Sequence, residues 1–166
     1  GQAEMGGQNA SIVFEDADLE LAATTIVGAA MGYAGQKCTA TSRVLVADRV
    51  AEDLSQRLVA QLNALRLGDP TDETIDDGPV ISQEARTHVV RRMNAAIARG
   101  ARPLIGTGTP QRSGWFVEPT LLEIMDATDV FAQEETFGPV AALLRFATDG
   151  DAIGIANSTP YGLVGA

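Results

Sequence analysis

Apolar and polar positions along the chain alternate between a strand-like and a helix-like rhythm. "SIVF" (Ser11 to Phe14) is a short run that suits a buried strand, and "EDAD" then supplies a turn in which Asp16 or Asp18 can cap a helix. From Asp18 to about Tyr33 the chain is rich in alanine and larger apolar residues, which predicts a mostly buried helix closed by Gly35. "SRVLVAD" (Ser42 to Asp48) predicts a strand apolar enough to be covered on both faces, as in a parallel sheet. Within Val50 to Leu67, Leu54, Leu58 and Leu62 recur every four residues with Leu65 after them, the mark of an amphipathic helix. "LGDPTDETIDDGPVIS" reads as an acidic loop punctuated by Gly and Pro, and Ser82 with Ala85 onward starts another helix that ends at Gly100. "RPLIGTG" reads as a strand and turn, "GWFVEPTLL" as a second strand or hairpin arm, and "GPVAALLRF" (Gly138 to Phe146) as a further buried strand. "DGDAIGIANSTPYGL" predicts a short helix stopped by Pro160. Strands alternating with helices predict an α/β layered domain.

Composition narrows the function classes. The 166 residues fit one domain that buries roughly two-thirds of its unfolded surface. Net charge is −10 and no Lys/Arg cluster extends beyond Arg91–Arg92, which argues against nucleic acid and anionic membrane as partners. One cysteine and one histidine exclude an internal disulfide and a Cys/His zinc site, so no metal is expected and a reducing, cytoplasmic setting is favoured. "GQAEMGGQNA" lacks the basic start and apolar core of a signal peptide, and Leu19 to Ala34 is too short to span a bilayer. The first residue is not Met and the last residues stop in an apolar stretch, so a piece of a longer protein is expected.

Candidate chemistry centres on "GYAGQKCTATSRVLV", which holds the single cysteine, Cys38. A loop of small residues between helix and strand can leave the sulfur accessible, and Lys37 next door would favour the reactive thiolate. The other reading is a small core hydrophobe, and composition does not choose between the two. Glu4 stands before Gly6-Gly7, where glycines let backbone approach a ligand and a carboxylate can serve as a general base; an ordinary surface turn fits equally. Glu134 and Glu135, with Phe137, precede the strand near Pro139, as a hydroxyl-binding or metal-binding pair or as solvated charges. His88 reads as structural or exposed, Trp115 and Phe116 as packing residues, and "PYGL" as a turn.

In chain order, "EMGGQN", "DADLELAA", "GQKCTATSRVLV", "GPVIS", "FVEPTLL", "EETFGPV" and "ANSTPYGL" resemble the catalytic domain of the NAD(P)-dependent aldehyde dehydrogenase superfamily. The similarity covers essentially the whole chain, with Glu4 34 positions before Cys38 and Glu135 97 positions after it. The resemblance implies a three-layer αβα domain with a mostly parallel sheet, occupying residues 1–166 incompletely, with the cofactor-binding and oligomerisation regions elsewhere. No G-x-G-x-x-G fingerprint occurs in the chain.

The same resemblance implies site roles. Cys38 matches the nucleophile that attacks an aldehyde carbonyl, giving a thiohemiacetal and, after hydride transfer, a thioester. Glu4 matches the base that activates water to hydrolyse it. Glu135 resembles the residue that holds the nicotinamide-ribose hydroxyls, Phe137 the aromatic beside the nicotinamide, and Met5 a residue whose backbone lies near its carboxamide. The implied coenzyme is NAD or NADP, the partner an aldehyde substrate, and the parent a homo-oligomer. The cysteine loop looks most like members acting on 2,5-dioxopentanoate (α-ketoglutaric semialdehyde), with succinate semialdehyde and benzaldehyde-type enzymes open. Competing readings are a CoA-acylating enzyme and a non-catalytic structural paralogue, and the isolated chain is expected to be inactive.

Overall fold

The computed structural model describes residues 1–2 and 4–166. A five-stranded sheet forms the middle layer: β1 (Asn9–Val13), β2 (Thr41–Ala47), β3 (Arg102–Ile105), β4 (Thr120–Glu123) and β5 (Val140–Phe146), in the spatial order β1-β2-β5-β4-β3. The first four in that order run parallel, and β3 closes one edge antiparallel to β4. The helices are α1 (Leu19–Met31), α2 (Ala51–Ala64), α3 (Gln83–Ala98), α4 (Val130–Gln133) and α5 (Asp149–Ala156).

Side chains alternate across the sheet and divide the core in two. Val44 and Val46 of β2 and Leu143 of β5 pack on one face against Ala23, Ile26 and Val27 of α1 and Leu54, Leu58 and Leu62 of α2. Leu45, Ala142 and Leu144 point the other way, toward Val89 and Met93 of α3, Phe131 of α4 and Ala152 of α5. The domain is therefore a three-layer αβα sandwich around a mostly parallel sheet. The continuous apolar runs of β2 and β5 follow from this burial on both faces.

Side-chain caps open several of the helices, with Asp18 rather than Asp16 capping α1. Asp18 accepts from the Glu20 and Leu21 amides, Ser82 accepts from the Ala85 amide, and Thr148 forms a reciprocal capping box with Asp151. Helix α5 ends at Ala156, with Asn157 as its cap, ahead of Pro160. Three segments differ from the sequence pattern. Helix α1 stops at Met31, because Gly32 leaves the helical region (φ −50°, ψ 134°) and Tyr33, Ala34 and Gly35 then turn left-handed (φ 60°, 54° and 64°). The strand expected in "GWFVEPTLL" begins only at Thr120, since Pro119 has no amide to give a ladder. The single-turn α4, capped by Asp129, is too short to leave a periodic signal.

Two buried charges hold elements together, one joining the sheet to α5 and the other joining three strands of the sheet. Arg43, in the middle of β2 and 2% exposed, donates to the carbonyls of Ile155 and Ala156 at the end of α5 (2.8 and 2.9 Å) and to Gln8 O (2.9 Å). Helix-end carbonyls carry partial negative charge and take the place of a carboxylate partner; burial holds this guanidinium below its ordinary value. Glu123 of β4 accepts from Arg102 of β3 and Arg145 of β5, each at 2.7 Å. Burial opposes its charge, but the two guanidiniums outweigh it and hold the carboxyl below its ordinary value.

Candidate active site

Strand order explains how distant segments meet. Glu4 to Gly7 lead into β1, Cys38 lies three residues before β2, and Glu135 to Phe137 lead into β5. Because β1, β2 and β5 are consecutive parallel neighbours, the three lead-in segments lie side by side at the amino ends of the strands. Open α/β sheets usually bind ligands at the carboxyl ends. Here the converging side chains stand at the opposite edge.

Glu4, Met5, Cys38, Glu135 and Phe137 all line one cleft of about 520 Å³, together with Gly6, Gln36, Lys37 and Thr39. Cys38 is exposed, so its thiol does not fill the core. Glu4 is also exposed, and one of its carboxylate oxygens lies 3.4 Å from the Gln2 side-chain amide. Met5 is 63% and Phe137 45% exposed, large apolar groups turned toward solvent at the cleft. Glu134 and Glu135 do not act as a pair. Glu134 is engaged by Arg92 (2.7 Å), whereas Glu135 Oε1 accepts from the Gly7 amide (3.0 Å). Lys37 sends its ammonium over the Tyr33 ring, 4.2 Å from the centroid.

Close backbone approach fits the pieces together. A Cβ on Gly7 would stand 2.3 Å from Cys38 O, and one on Gly35 would stand 1.9 Å from Gly138 O. Only glycine permits either contact. Phe137 is itself left-handed (φ 57°), so the turns that present Phe137 and Cys38 lock against each other through Gly35 and Gly138.

Residues the sequence pattern did not single out hold this arrangement. Asn9 is buried, and its side-chain amide donates to Cys38 O (2.8 Å) and Ala40 O (2.7 Å) while its oxygen accepts from the Val164 amide (3.1 Å). Its one signal was membership of "EMGGQN". Asp77, in the loop read as acidic and punctuated by Gly and Pro, is buried and accepts from the Ala34 amide (2.7 Å) and the Gly78 amide (3.0 Å). Burial pushes its carboxyl up to about 6, and these two hydrogen bonds offset only part of that. No sequence signal separated it from the neighbouring acids. His88 is half-buried on α3 and lines no part of the cleft; Phe116 packs in the core, but Trp115 is 44% exposed. Among the described residues no group of three or more His, Cys, Asp or Glu is placed to hold a metal ion, and no helix is long and apolar enough to cross a membrane.

The profile of the Aldehyde dehydrogenase family matches residues 1–166. The chain belongs to this family. It is 39% identical over 164 residues to 1-pyrroline-5-carboxylate dehydrogenase of Geobacillus sp. (strain WCH70), covering 99% of this chain and 32% of that protein. It is 38% identical over 160 residues to succinate-semialdehyde dehydrogenase [NADP(+)] 1 of Mycobacterium bovis, covering 96% of this chain and 35% of that one. The fold superposes on betaine aldehyde dehydrogenase of Staphylococcus aureus, crystallised with NAD+, with TM-score 0.94 and 38% identity over 98% of this chain and 33% of that one. A Thermus 1-pyrroline-5-carboxylate dehydrogenase with bound NAD gives TM-score 0.91 and 36% identity, over 96% of this chain and 31% of that chain. The chain thus spans about a third of the length of these aldehyde dehydrogenase relatives.

Proposed function

We propose that this chain carries the nucleophile and base of an NAD(P)-dependent oxidation of an aldehyde to its acid, a small carboxylated semialdehyde being the favoured substrate class. The observation that carries the reading is the convergence of exposed Cys38 with Glu4 and Glu135 in one cleft, from three segments far apart in sequence. Cys38 Sγ, as thiolate, forms an S–C bond to the aldehyde carbon while the carbonyl π electrons move onto oxygen. The Cys38 backbone amide is the donor assigned to that oxygen. Cys38 then holds the substrate carbon as a thiohemiacetal and, once oxidised, as a thioester. Glu4 removes a proton from the water that adds to the thioester, and the C–S bond breaks to release acid and thiolate.

The residues present suit a nicotinamide coenzyme. Gly6 leaves a space beside Glu135 that a side chain would fill, since a Cβ there would lie 2.8 Å from Oε2. In this reading Glu135 holds ribose hydroxyls, the Phe137 ring flanks the nicotinamide, and the Met5 backbone meets its carboxamide. When bound, NAD(P)+ supplies the hydride acceptor. Relatives crystallised with NAD, and one named for NADP(+), support this class of coenzyme.

The test measures NAD(P)H formation by the full-length protein with 2,5-dioxopentanoate, succinate semialdehyde and betaine aldehyde. Cys38→Ala should abolish turnover, and Glu4→Gln should accumulate acyl-enzyme and lower kcat by about 10²–10⁴, the usual worth of a general base. Residues 1–166 alone, a third of the relatives' length, are expected not to turn over. Undiminished turnover by Cys38→Ala would sink the mechanism, and release of acyl-CoA instead of free acid would remove the role given to Glu4.

A further inference from the structure

The segment that delivers Cys38 is bent in a way its sequence disfavours. Tyr33, Ala34 and Gly35 are consecutively left-handed (φ 60°, 54° and 64°), although only one of them is glycine. A Cβ crowds the following carbonyl in this conformation, so outside contacts must hold it. They come from residues 77–81. Asp77 Oδ1 accepts from the Ala34 amide at the centre of the turn (2.7 Å), and Gln36 Oε1 accepts from the Ile81 amide (2.9 Å). Gln36 also donates to Tyr33 O (3.2 Å), which closes the turn on itself. Asp77 is anchored in its own right: its amide donates to Arg66 O (3.3 Å) and its carbonyl accepts from the Gly68 amide (3.0 Å). Its second carboxylate oxygen is buried without a hydrogen-bond partner among the described residues. Burying a carboxylate oxygen without a hydrogen bond costs free energy, which the bonds made by Oδ1 offset only in part.

We propose that Asp77 is a positioning residue for Cys38: its Oδ1 fixes the left-handed turn at Ala34, and through it the nucleophile's place in the cleft. The inference rests on the reading of Cys38 as nucleophile, but its physical content is independent of activity. An asparagine keeps the accepting oxygen, whereas an alanine removes it.

The test compares wild type, Asp77→Asn and Asp77→Ala by ¹⁵N relaxation of the Gln36 to Ala40 amides in this chain, with kcat and coenzyme KM measured in the full-length protein. Order parameters of about 0.85 are expected for wild type and Asp77→Asn, falling below about 0.6 in Asp77→Ala. Asp77→Ala should lower kcat tenfold or more, with a smaller rise in coenzyme KM because the Phe137 turn feels the change only through the Gly35–Gly138 contact; Asp77→Asn should stay within threefold of wild type. Leu62→Ala, a remote core truncation, controls for lost stability and should leave both readouts unmoved. An ordered loop in Asp77→Ala, or an Asp77→Asn as mobile as Asp77→Ala, overturns the proposal. If Asp77→Ala does not fold, the unsubstituted protein decides: its Ala34 amide should exchange as slowly as those of β2, and exchange at an unprotected rate overturns the clasp. A wild type that turns over no aldehyde would defeat the functional reading while leaving the relaxation result to judge Asp77.

Discussion

Replacing Asn9 by alanine or aspartate tests how the cysteine loop is held. The Asn9 side chain joins three segments: it donates to Cys38 O and Ala40 O and accepts from the amide of Val164. The bond to Ala40 is fully buried, and those to Cys38 and Val164 are partly so. An orphaned buried carbonyl costs about 1–3 kcal/mol, and a partly solvated one less because water can replace the lost partner. Asn9→Ala should therefore lose about 2–4 kcal/mol. Asn9→Asp has the same shape but replaces the one donor nitrogen by an acceptor oxygen facing two carbonyl oxygens, at positions where the donor stood 2.8 and 2.7 Å from them. With an unpaired buried charge added, its loss at pH 7.5 should reach about 3–5 kcal/mol. Protonating the aspartate restores one donor and removes the charge, so its deficit relative to wild type should narrow as pH falls. Urea unfolding followed by far-ultraviolet circular dichroism, with equal m-values required, supplies the comparison. A loss under 1 kcal/mol in both variants, or an Asn9→Asp less harmed than Asn9→Ala at pH 7.5, would show that Asn9 does not hold the loop.

Asp77→Asn also predicts a pH-dependent change in stability. Burial raises the folded carboxyl from 3.8 to about 6, so the folded state binds the proton more tightly than the unfolded chain. Wild-type stability carried by this group is complete below 3.8 and is lost as pH rises to about 6, by at most about 3 kcal/mol. The asparagine variant should be the more stable at pH 8 and lose that advantage toward pH 4; a difference that does not vary with pH across paired urea titrations contradicts this account. Gly35→Ala should cost about 2–4 kcal/mol, because its Cβ would collide with Gly138 O in a left-handed backbone, whereas Gly28→Ala, with nothing within 4 Å, should gain up to about 1 kcal/mol. Similar melting temperatures for the two glycine variants would remove the argument for a backbone lock.

Local pattern was enough to read most of the layers. The run Val44 to Val46 is apolar at every position because helices cover both faces of β2, and Leu54, Leu58 and Leu62 repeat because α2 buries one stripe. Ordered motifs around Glu4, Cys38 and Glu135 also pointed to the family that the profile match then established. Such patterns report how often a side chain meets the core. They carry no record of which segments become neighbours.

That record lies in the strand order. Glu4, Cys38 and Glu135 share a cleft because β1, β2 and β5 pair side by side, a choice made by long-range packing and backbone hydrogen bonding. Arg43 stands buried just before the apolar run of β2 and looks misplaced until the end of α5 brings two carbonyls to it. Asp77 has the same composition around it as its solvated neighbour Asp76, yet only Asp77 is buried against the Ala34 amide. Local pattern and ordered motifs are written in the chain, and they specify the elements and the family. Tertiary structure decided which polar groups stand in low dielectric beside which backbone, because desolvation and hydrogen-bond partners exist only once the layers have closed.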